Sequence, residues 1–131
     1  AHFIQLLELN FYEGCGFYRA ETGFVLQGGA TTVEKQTKKS PLPNLTFEYG
    51  LLNEKGTIAM ARTSDIDSAN TEYFFNLVDN SVALGIKDDN PGYTAFGEVV
   101  VGLDLLENFS TYPTVQQGGL NMLVDVIPVQ I

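Results

Sequence analysis

Apolar and polar positions along the chain recur mostly at the two-residue spacing of strands, and in two places at the spacing of a helix. In "HFIQLLEL" the side chains Phe3, Leu6 and Leu7 fall on one stripe, which predicts a helix over residues 1–10. The segment "LDLLENFS" predicts a second short helix over residues 103–110. The predicted strands are residues 17–20, 23–29, 56–62, 72–79, 93–101 and 120–131.

Polar and turn-forming residues separate these segments. Gly28 and Gly29 permit backbone angles that other residues avoid, so we predict that the strand beginning at residue 23 ends there. Residues 30–46 contain two prolines and three lysines and predict a surface loop, and residues 63–70 predict another. Many short strands with two helices indicate a mainly β fold, an antiparallel barrel or sandwich on which the helices pack.

Length and charge narrow the classes of protein. The 131 residues suffice for one domain, which we place at residues 1–131. The net charge of -9 repels a phosphate backbone, so we expect no nucleic-acid partner. A negative charge of this size is compatible with a soluble surface or with a basic partner, and it does not decide between the two. No apolar run is long enough for a membrane span, and the single cysteine allows no internal disulfide.

The inventory of reactive side chains excludes several chemistries. His2 is the only histidine, so a Ser-His-Asp relay would have to use this residue of the first helix, and a zinc site built from His and Cys lacks ligands. Asp65 and Asp67 alternate as in a calcium loop, but the closing glutamate of such a loop is absent. We therefore predict neither a metal nor another cofactor. What remains is Arg19 among aromatic residues, which is either an ion-paired structural group or a functional one.

Three segments in order carry a resemblance to a known family. They are "FYRAETGFVLQGG", "GTIAMARTSDIDSANTEYFFNLVDN" and "GYTAFGEVVVGLDLLENF". The first resembles the cyclophilin signature Phe-His-Arg-x-x-x-x-Phe-x-x-Gln-Gly-Gly, and the second resembles the bacterial-type form of the next signature. The resemblance covers nearly the whole chain. It implies a closed eight-stranded antiparallel barrel capped by two helices, with the first two strands absent from this chain. We therefore expect the natural protein to be longer, or another segment to supply those strands.

The resemblance also implies site residues for a peptidyl-prolyl cis-trans isomerase. Arg19 matches the catalytic arginine, and Gln27 matches the glutamine that orients it. The proline pocket is matched by Phe24, Met60, Phe74 and Leu84, and an edge strand that pairs with the substrate backbone is matched by Ala61 and Arg62.

Some positions depart from the family pattern. Tyr93 replaces a pocket histidine, and Tyr18 replaces the histidine before the arginine. Glu72 stands where glutamine is frequent, and we expect its carboxylate to pair with Arg19 or Arg62 and to reduce turnover.

Two functions fit these observations. The first is an active isomerase that binds X-Pro segments of peptides or proteins and assists folding. The alternative is a catalytically weak or inactive cyclophilin-like subunit or binding module of a larger assembly, favoured by the missing strands, Glu72 and the acidic charge. The bacterial-type signature predicts an organelle lumen such as that of the thylakoid, a secretory compartment or a bacterial periplasm, rather than the nucleus.

Overall fold

An antiparallel sheet of seven strands carries most of the chain in the computed structural model, which describes residues 1–130. In chain order the elements are α1 His2–Glu8, β1 Cys15–Glu21, β2 Val25–Thr32, β3 Thr57–Met60, β4 Tyr73–Asn76, β5 Ala95–Glu98, α2 Leu103–Phe109, β6 Thr114–Gln117 and β7 Leu120–Pro128. The predicted mainly β class with two helices is confirmed. In the described residues no helix is long and apolar enough to cross a membrane.

The strands follow one another in the order β5-β3-β4-β2-β1-β7-β6, and every neighbouring pair is antiparallel. Within residues 1–130 no ladder joins the two outer strands, β5 and β6, so hydrogen bonds do not close the predicted barrel. The site strands β1 and β2 lie in the middle of this order. Both are therefore held on two sides.

β1 and β2 form a hairpin whose register is irregular at two points, between Cys15 and Phe17 and between Phe17 and Arg19. Phe17 pairs with Gly28, and Arg19 already pairs with Gln27, so β1 contains one extra residue, Tyr18. In a regular strand successive side chains point to opposite faces, whereas a bulge puts two neighbours on one side. Both Tyr18 and Arg19 accordingly reach the side chain of Gln27.

Two apolar clusters stabilise the sheet. The larger one joins α1 to the sheet through edge-on aromatic contacts, such as those of Tyr73 with Phe3 and Tyr12. The smaller one contains Val25, Ala59, Phe74 and Ala95, with Phe24 and Tyr93 packed against it. The smaller cluster fixes β2, β3, β4 and β5 beneath the cavity described below.

One predicted boundary is wrong, and one strand was not predicted. β2 does not end at Gly28–Gly29 but continues to Thr32, so the predicted loop over residues 30–46 begins as strand. A side chain at Gly29 would collide with the carboxylate of Glu72, so close packing, rather than a turn, explains this glycine. β6 has no prediction at all, because its four residues are exposed and offer no apolar alternation.

Candidate active site

A cavity of about 190 Å³ opens on the β1–β2 hairpin. Its volume is about six times the roughly 30 Å³ that one water occupies in the liquid, so it can admit a small ring. All but two of the predicted site residues line it, together with one that was not predicted, Val25. The predicted residues in its wall are Arg19, Phe24, Gln27, Ala61, Arg62, Phe74, Leu84 and Tyr93.

The apolar side of the cavity is built by aromatic rings that hold one another. Phe74 is buried, and its ring meets that of Tyr93 edge-on at 5.7 Å between centroids. The guanidinium of Arg62 lies 4.6 Å from the centroid of the Tyr93 ring, an arrangement that attracts through the ring's negative face. Arg62 also donates hydrogen bonds to the carbonyl oxygens of Thr63 and Gly92. The wall is thus braced from outside.

Arg19 forms the polar side of the cavity, and two of its three nitrogens are occupied. Nε donates to Glu21 Oε2 at 3.1 Å, and Nη1 donates to Gln27 Oε1 at 3.0 Å. In residues 1–130, Nη2 has no hydrogen-bond partner. Arg19 is therefore ion-paired, which is the first of the two alternatives left open by the sequence, and it also lines the cavity.

The ion pair with Glu21 has no counterpart in the sequence prediction. The carboxylate of Glu21 is held from β7, where the backbone N–H of Asn121 donates to Oε2 at 3.1 Å and its Nδ2 donates to Oε1. Burial by itself raises the pKa of the Glu21 carboxyl, but the Asn121 hydrogen bonds and the bond and charge of Arg19 outweigh burial. The net pKa lies below its ordinary value, so Glu21 is an anion at neutral pH.

A chain of hydrogen bonds on the other side of Arg19 fixes the amide of Gln27. Tyr18 donates its only hydroxyl proton to Glu72 Oε1 at 2.8 Å, and Gln27 Nε2 donates to the Tyr18 oxygen at 2.9 Å. Burial, then the charge of Glu72 and the bond to it, raise the pKa of Tyr18 well above its ordinary value, so the phenol stays protonated. Because that proton points at a carboxylate, the Gln27 amide nitrogen must face Tyr18 and its oxygen must face Arg19.

The expected pairing of Glu72 with Arg19 or Arg62 is therefore wrong. Its carboxylate accepts from Tyr18, from the Ala30 backbone N–H at 3.0 Å and from Thr71 Oγ1 at 2.6 Å. These three donors satisfy the anion without a cation. Glu72 does not line the Arg19 cavity but an adjoining hollow, which it shares with Gln27.

The expectations for the end of β3 also need correction. Met60 lines a separate cavity of about 200 Å³ against α1, together with Phe3 and Phe96, and not the Arg19 cavity. Ala61 and Arg62 follow β3, which is not an edge strand because β4 and β5 flank it. The Ala61 N–H donates to the Glu72 carbonyl oxygen at 2.9 Å and is not available to a substrate.

Buried asparagines support the cavity from behind, and the sequence prediction missed them. Asn76 is fully buried and donates to Asn53 Oδ1 at 3.0 Å, while Asn80 Nδ2 donates to Asn76 Oδ1 at 3.0 Å. The outer members bind cavity backbone: Asn80 donates to the carbonyl oxygen of Phe24, and Asn53 donates to that of Tyr93. Buried amides with partners of this kind fix their neighbours, because breaking one bond leaves others unpaired.

No nucleophile with an adjoining base lies in this wall, whose side chains are guanidinium, amide, aromatic and aliphatic groups. Within residues 1–130 no cluster of three or more His, Cys, Asp or Glu side chains is placed to hold a metal ion. The arrangement can bind an apolar ring on one side and donate hydrogen bonds from the other. Such chemistry acts by shape and by charge placement, without making or breaking a covalent bond.

Comparison with known proteins places this fold in one class. A cyclophilin-type peptidyl-prolyl cis-trans isomerase of Cryptosporidium parvum, solved in the presence of the dipeptide Ala-Pro, superposes with a TM-score of 0.65 at 18% identity. The superposition covers 99% of this chain and 84% of that one, and it shows that the fold is that of the cyclophilins.

Sequence comparison then gives the family. The model described as cyclophilin type peptidyl-prolyl cis-trans isomerase/CLD matches residues 1–129. A peptidyl-prolyl cis-trans isomerase of Acinetobacter baylyi is 36% identical over 132 residues, which are 99% of this chain and 69% of that protein. Peptidyl-prolyl cis-trans isomerase A of Dickeya dadantii is 36% identical over 118 residues, 89% of this chain and 62% of that protein.

The chain belongs to the cyclophilin-type peptidyl-prolyl cis-trans isomerase family. The family and the isomerase class of function predicted from the three sequence segments are confirmed at this level. The chain spans about two thirds of the length of the two curated relatives. The assignment of individual residues to catalysis therefore rests on the geometry of the cavity.

Proposed function

We propose that the Arg19 cavity binds an X-Pro segment of a peptide or protein and catalyses rotation about its prolyl amide bond, which assists the folding of client chains. The observation that carries this proposal is a guanidinium with a free Nη2 in the wall of a cavity that also presents the apolar side chains of Phe24, Phe74 and Leu84. Neither a structural ion pair nor ordinary core packing requires an unpaired donor there.

Rotation of the prolyl amide needs little chemistry but faces a high barrier. Amide resonance gives a barrier of about 18–20 kcal/mol, and uncatalysed exchange takes roughly tens to hundreds of seconds. No bond is cleaved, so neither nucleophile nor metal is needed. A catalyst has to bind the twisted amide more tightly than either planar form.

Arg19 supplies such a preference. In the planar amide the prolyl nitrogen lone pair is delocalised, whereas in the twisted amide it becomes a localised acceptor. Nη2 can donate to that acceptor, and the guanidinium stays protonated at any ordinary pH. The aromatic rings of Phe24, Phe74 and Tyr93 in the same wall lower the local dielectric and strengthen the hydrogen bond. The interaction therefore forms mainly in the transition state.

The proline ring fits the apolar side. Phe24, Phe74 and Leu84 present carbon surface opposite Arg19 in the cavity. Burial of three ring methylenes contributes about 2 kcal/mol to binding, at roughly 0.8 kcal/mol for each methylene. This binding is nearly equal for the planar and twisted amides, so it sets KM, while Arg19 sets kcat. The Tyr93 ring, braced by the guanidinium of Arg62, keeps the pocket open. Met60 lines a different cavity and does not contribute to this pocket.

The decisive experiment compares wild type with Arg19→Ala and Arg19→Lys in a proline-isomerisation assay. Loss of the donor should lower kcat/KM about 100-fold, the effect typical of a single preorganised donor. The lysine variant retains the charge but lacks the planar fork, and it should recover only a small part of the activity.

Lys55→Ala is the matched control, because it removes a cation from an exposed ion pair with Glu107 far from the cavity wall. It should leave kcat/KM unchanged. Arg19→Ala with wild-type activity, in a folded protein, would refute the assignment.

A second candidate is a binding module that holds a partner without isomerising it. It is favoured by the exposure of Val100 and Val101, which are 91% and 90% accessible beside the start of α2. A folded wild type that binds a proline peptide and shows no isomerisation would support this candidate. The lumenal, secretory or periplasmic compartment stays a prediction, which cell fractionation tests.

A further inference from the structure

We propose that Glu21, anchored by Asn121, is a positioning residue that fixes the guanidinium of Arg19 in its catalytic orientation. The proposal rests on the function assigned above to Arg19. It concerns two side chains that lie 100 positions apart in the sequence and outside the cavity wall.

The first step is that the carboxylate is itself immobile. An exposed carboxylate beside an arginine usually follows its partner and orients nothing. The Glu21 side chain is only 15% exposed, and it accepts from the backbone and the side chain of Asn121 as well as from Arg19 Nε. The backbone donor belongs to β7, which is paired with β1. The anion is thus attached to the sheet, independently of Arg19.

The second step is that two fixed nitrogens determine the third. The guanidinium is a rigid plane, so holding Nε at Glu21 and Nη1 at Gln27 leaves it no rotation about either bond. Both N–H groups of Nη2 and the second N–H of Nη1 remain free to donate. Gln27 is held on its far side by Tyr18, so both contacts of Arg19 lead to fixed groups.

The third step concerns the reaction. A donor that is already in place at the transition state loses no orientational freedom during the reaction, whereas a mobile arginine side chain does. Misplacement of a catalytic group by about 1 Å can cost on the order of 100-fold. Since Glu21 does not line the cavity, its removal should lower kcat and leave KM almost unchanged.

The opposite role is also physically possible and makes the proposal testable. A carboxylate at 3.1 Å partly neutralises the guanidinium and could hold it back from the substrate. Removal of Glu21 would then raise kcat. The sign of the change in kcat therefore separates positioning from restraint.

The test uses Glu21→Ala, Glu21→Gln and Asn121→Ala, with kcat and KM measured separately. We expect kcat to fall about tenfold for Glu21→Ala, with KM within twofold of wild type. Glu21→Gln keeps an acceptor for Nε and should restore part of the loss. Asn121→Ala leaves the ion pair and the backbone donor to Oε2 in place and removes only the side-chain donor to Oε1, so it should give an intermediate value. Unchanged or increased kcat in folded Glu21→Ala would overturn the proposal.

The matched control is Glu107→Gln, which breaks the other ion pair, Lys55–Glu107, also at 3.1 Å. It should change neither kcat nor KM. A second readout is the ¹⁵N relaxation of the Arg19 Nε–H, which should show a rigid group in wild type, a mobile one in Glu21→Ala and one of intermediate mobility in Asn121→Ala.

The two readouts keep the two proposals distinguishable. A folded wild type without isomerase activity would defeat the proposed function, while the relaxation data would still decide whether Glu21 immobilises Arg19. Equal mobility in wild type and Glu21→Ala would defeat the positioning role even in an active enzyme. If Glu21→Ala fails to fold, the same comparison is made with Asn121→Ala, which retains both charges.

Discussion

Replacing Tyr18 with phenylalanine removes a single oxygen from the hydrogen-bond chain that connects Glu72 to Gln27. The phenol donates to a carboxylate at 2.8 Å and accepts from an amide at 2.9 Å. A hydrogen bond to a charged group contributes about 1.5–3 kcal/mol to stability. The ring itself stays, so packing is almost unchanged. We expect Tyr18→Phe to lower the free energy of unfolding by about 2 kcal/mol.

The corresponding loss in melting temperature follows from the size of the chain. At about 4 °C for each kcal/mol in a domain of this length, Tm should fall by roughly 8 °C. Turnover should fall as well, because the Gln27 amide is then free to rotate its nitrogen toward Arg19, where two donors would face each other. Urea unfolding, a thermal melt and the isomerase assay measure the three quantities.

Glu72→Gln and the double variant complete the test. If Tyr18 and Glu72 act as one unit, the two losses in unfolding free energy are not additive, and the coupling is about 1 kcal/mol or more. Unaltered stability and turnover in Tyr18→Phe would contradict the described chain. Faster turnover in Glu72→Gln would also contradict the described chain, because it would indicate that the Glu72 carboxylate pairs with an arginine and lowers its activity.

Two further predictions concern β1. Gly16→Ala should destabilise the fold severely, because the added Cβ would collide with the backbone carbonyl of Ile127 in β7, and a reduced yield of folded protein or a sharply lower Tm would show it. The stability that Glu21 contributes should depend on pH. Its folded pKa lies below the ordinary 4.5, so the contribution is fully present above that value and is lost as the pH falls through the folded pKa. Unfolding of wild type and Glu21→Gln between pH 7 and pH 3 should show the gap between them shrinking on acidification, and a gap that widens would contradict this.

The sequence predicted those features that depend on local patterns or on long ordered motifs. The apolar stripe of α1 and the aromatic run of β4 identified both elements, and the three family segments identified the cavity wall around Arg19. The exposed strand β6 escaped because nothing in "TVQQ" distinguishes a solvated edge strand from a loop. It is the antiparallel pairing of β6 with β7 that makes this segment a strand rather than a loop.

The partners of the charged groups escaped for a different reason. Two carboxylates lie near Arg19. Glu21, two residues further along β1, contacts the guanidinium directly, whereas Glu72 is connected to it only through Tyr18 and Gln27. The family resemblance singled out Glu72 as a partner for an arginine. In the structure Glu72 accepts a hydrogen bond from Tyr18, and Glu21 is the carboxylate that accepts from Arg19. Glu21 and Asn121 are 100 positions apart, so the residues next to either one in the sequence give no indication of the contact between them.

The bulge in β1 sets unequal tolerance to the loss of a residue along that strand. Tyr18 is the extra position relative to β2, so its deletion would make that pairing regular between Phe17 and Arg19 and leave Phe17 and Ala20 on the core side. A deletion of Phe17 or Ala20 themselves would instead exchange the buried and the solvent-facing sides of the strand. Loss of the residue before the arginine is therefore compatible with the pairing of β1 with β2, while the pairing with β7, which is also irregular between Phe17 and Arg19, would have to adjust. Such a change would alter what holds the reactive guanidinium, and the length of the strand is in this sense as much a part of the site as the identity of its side chains.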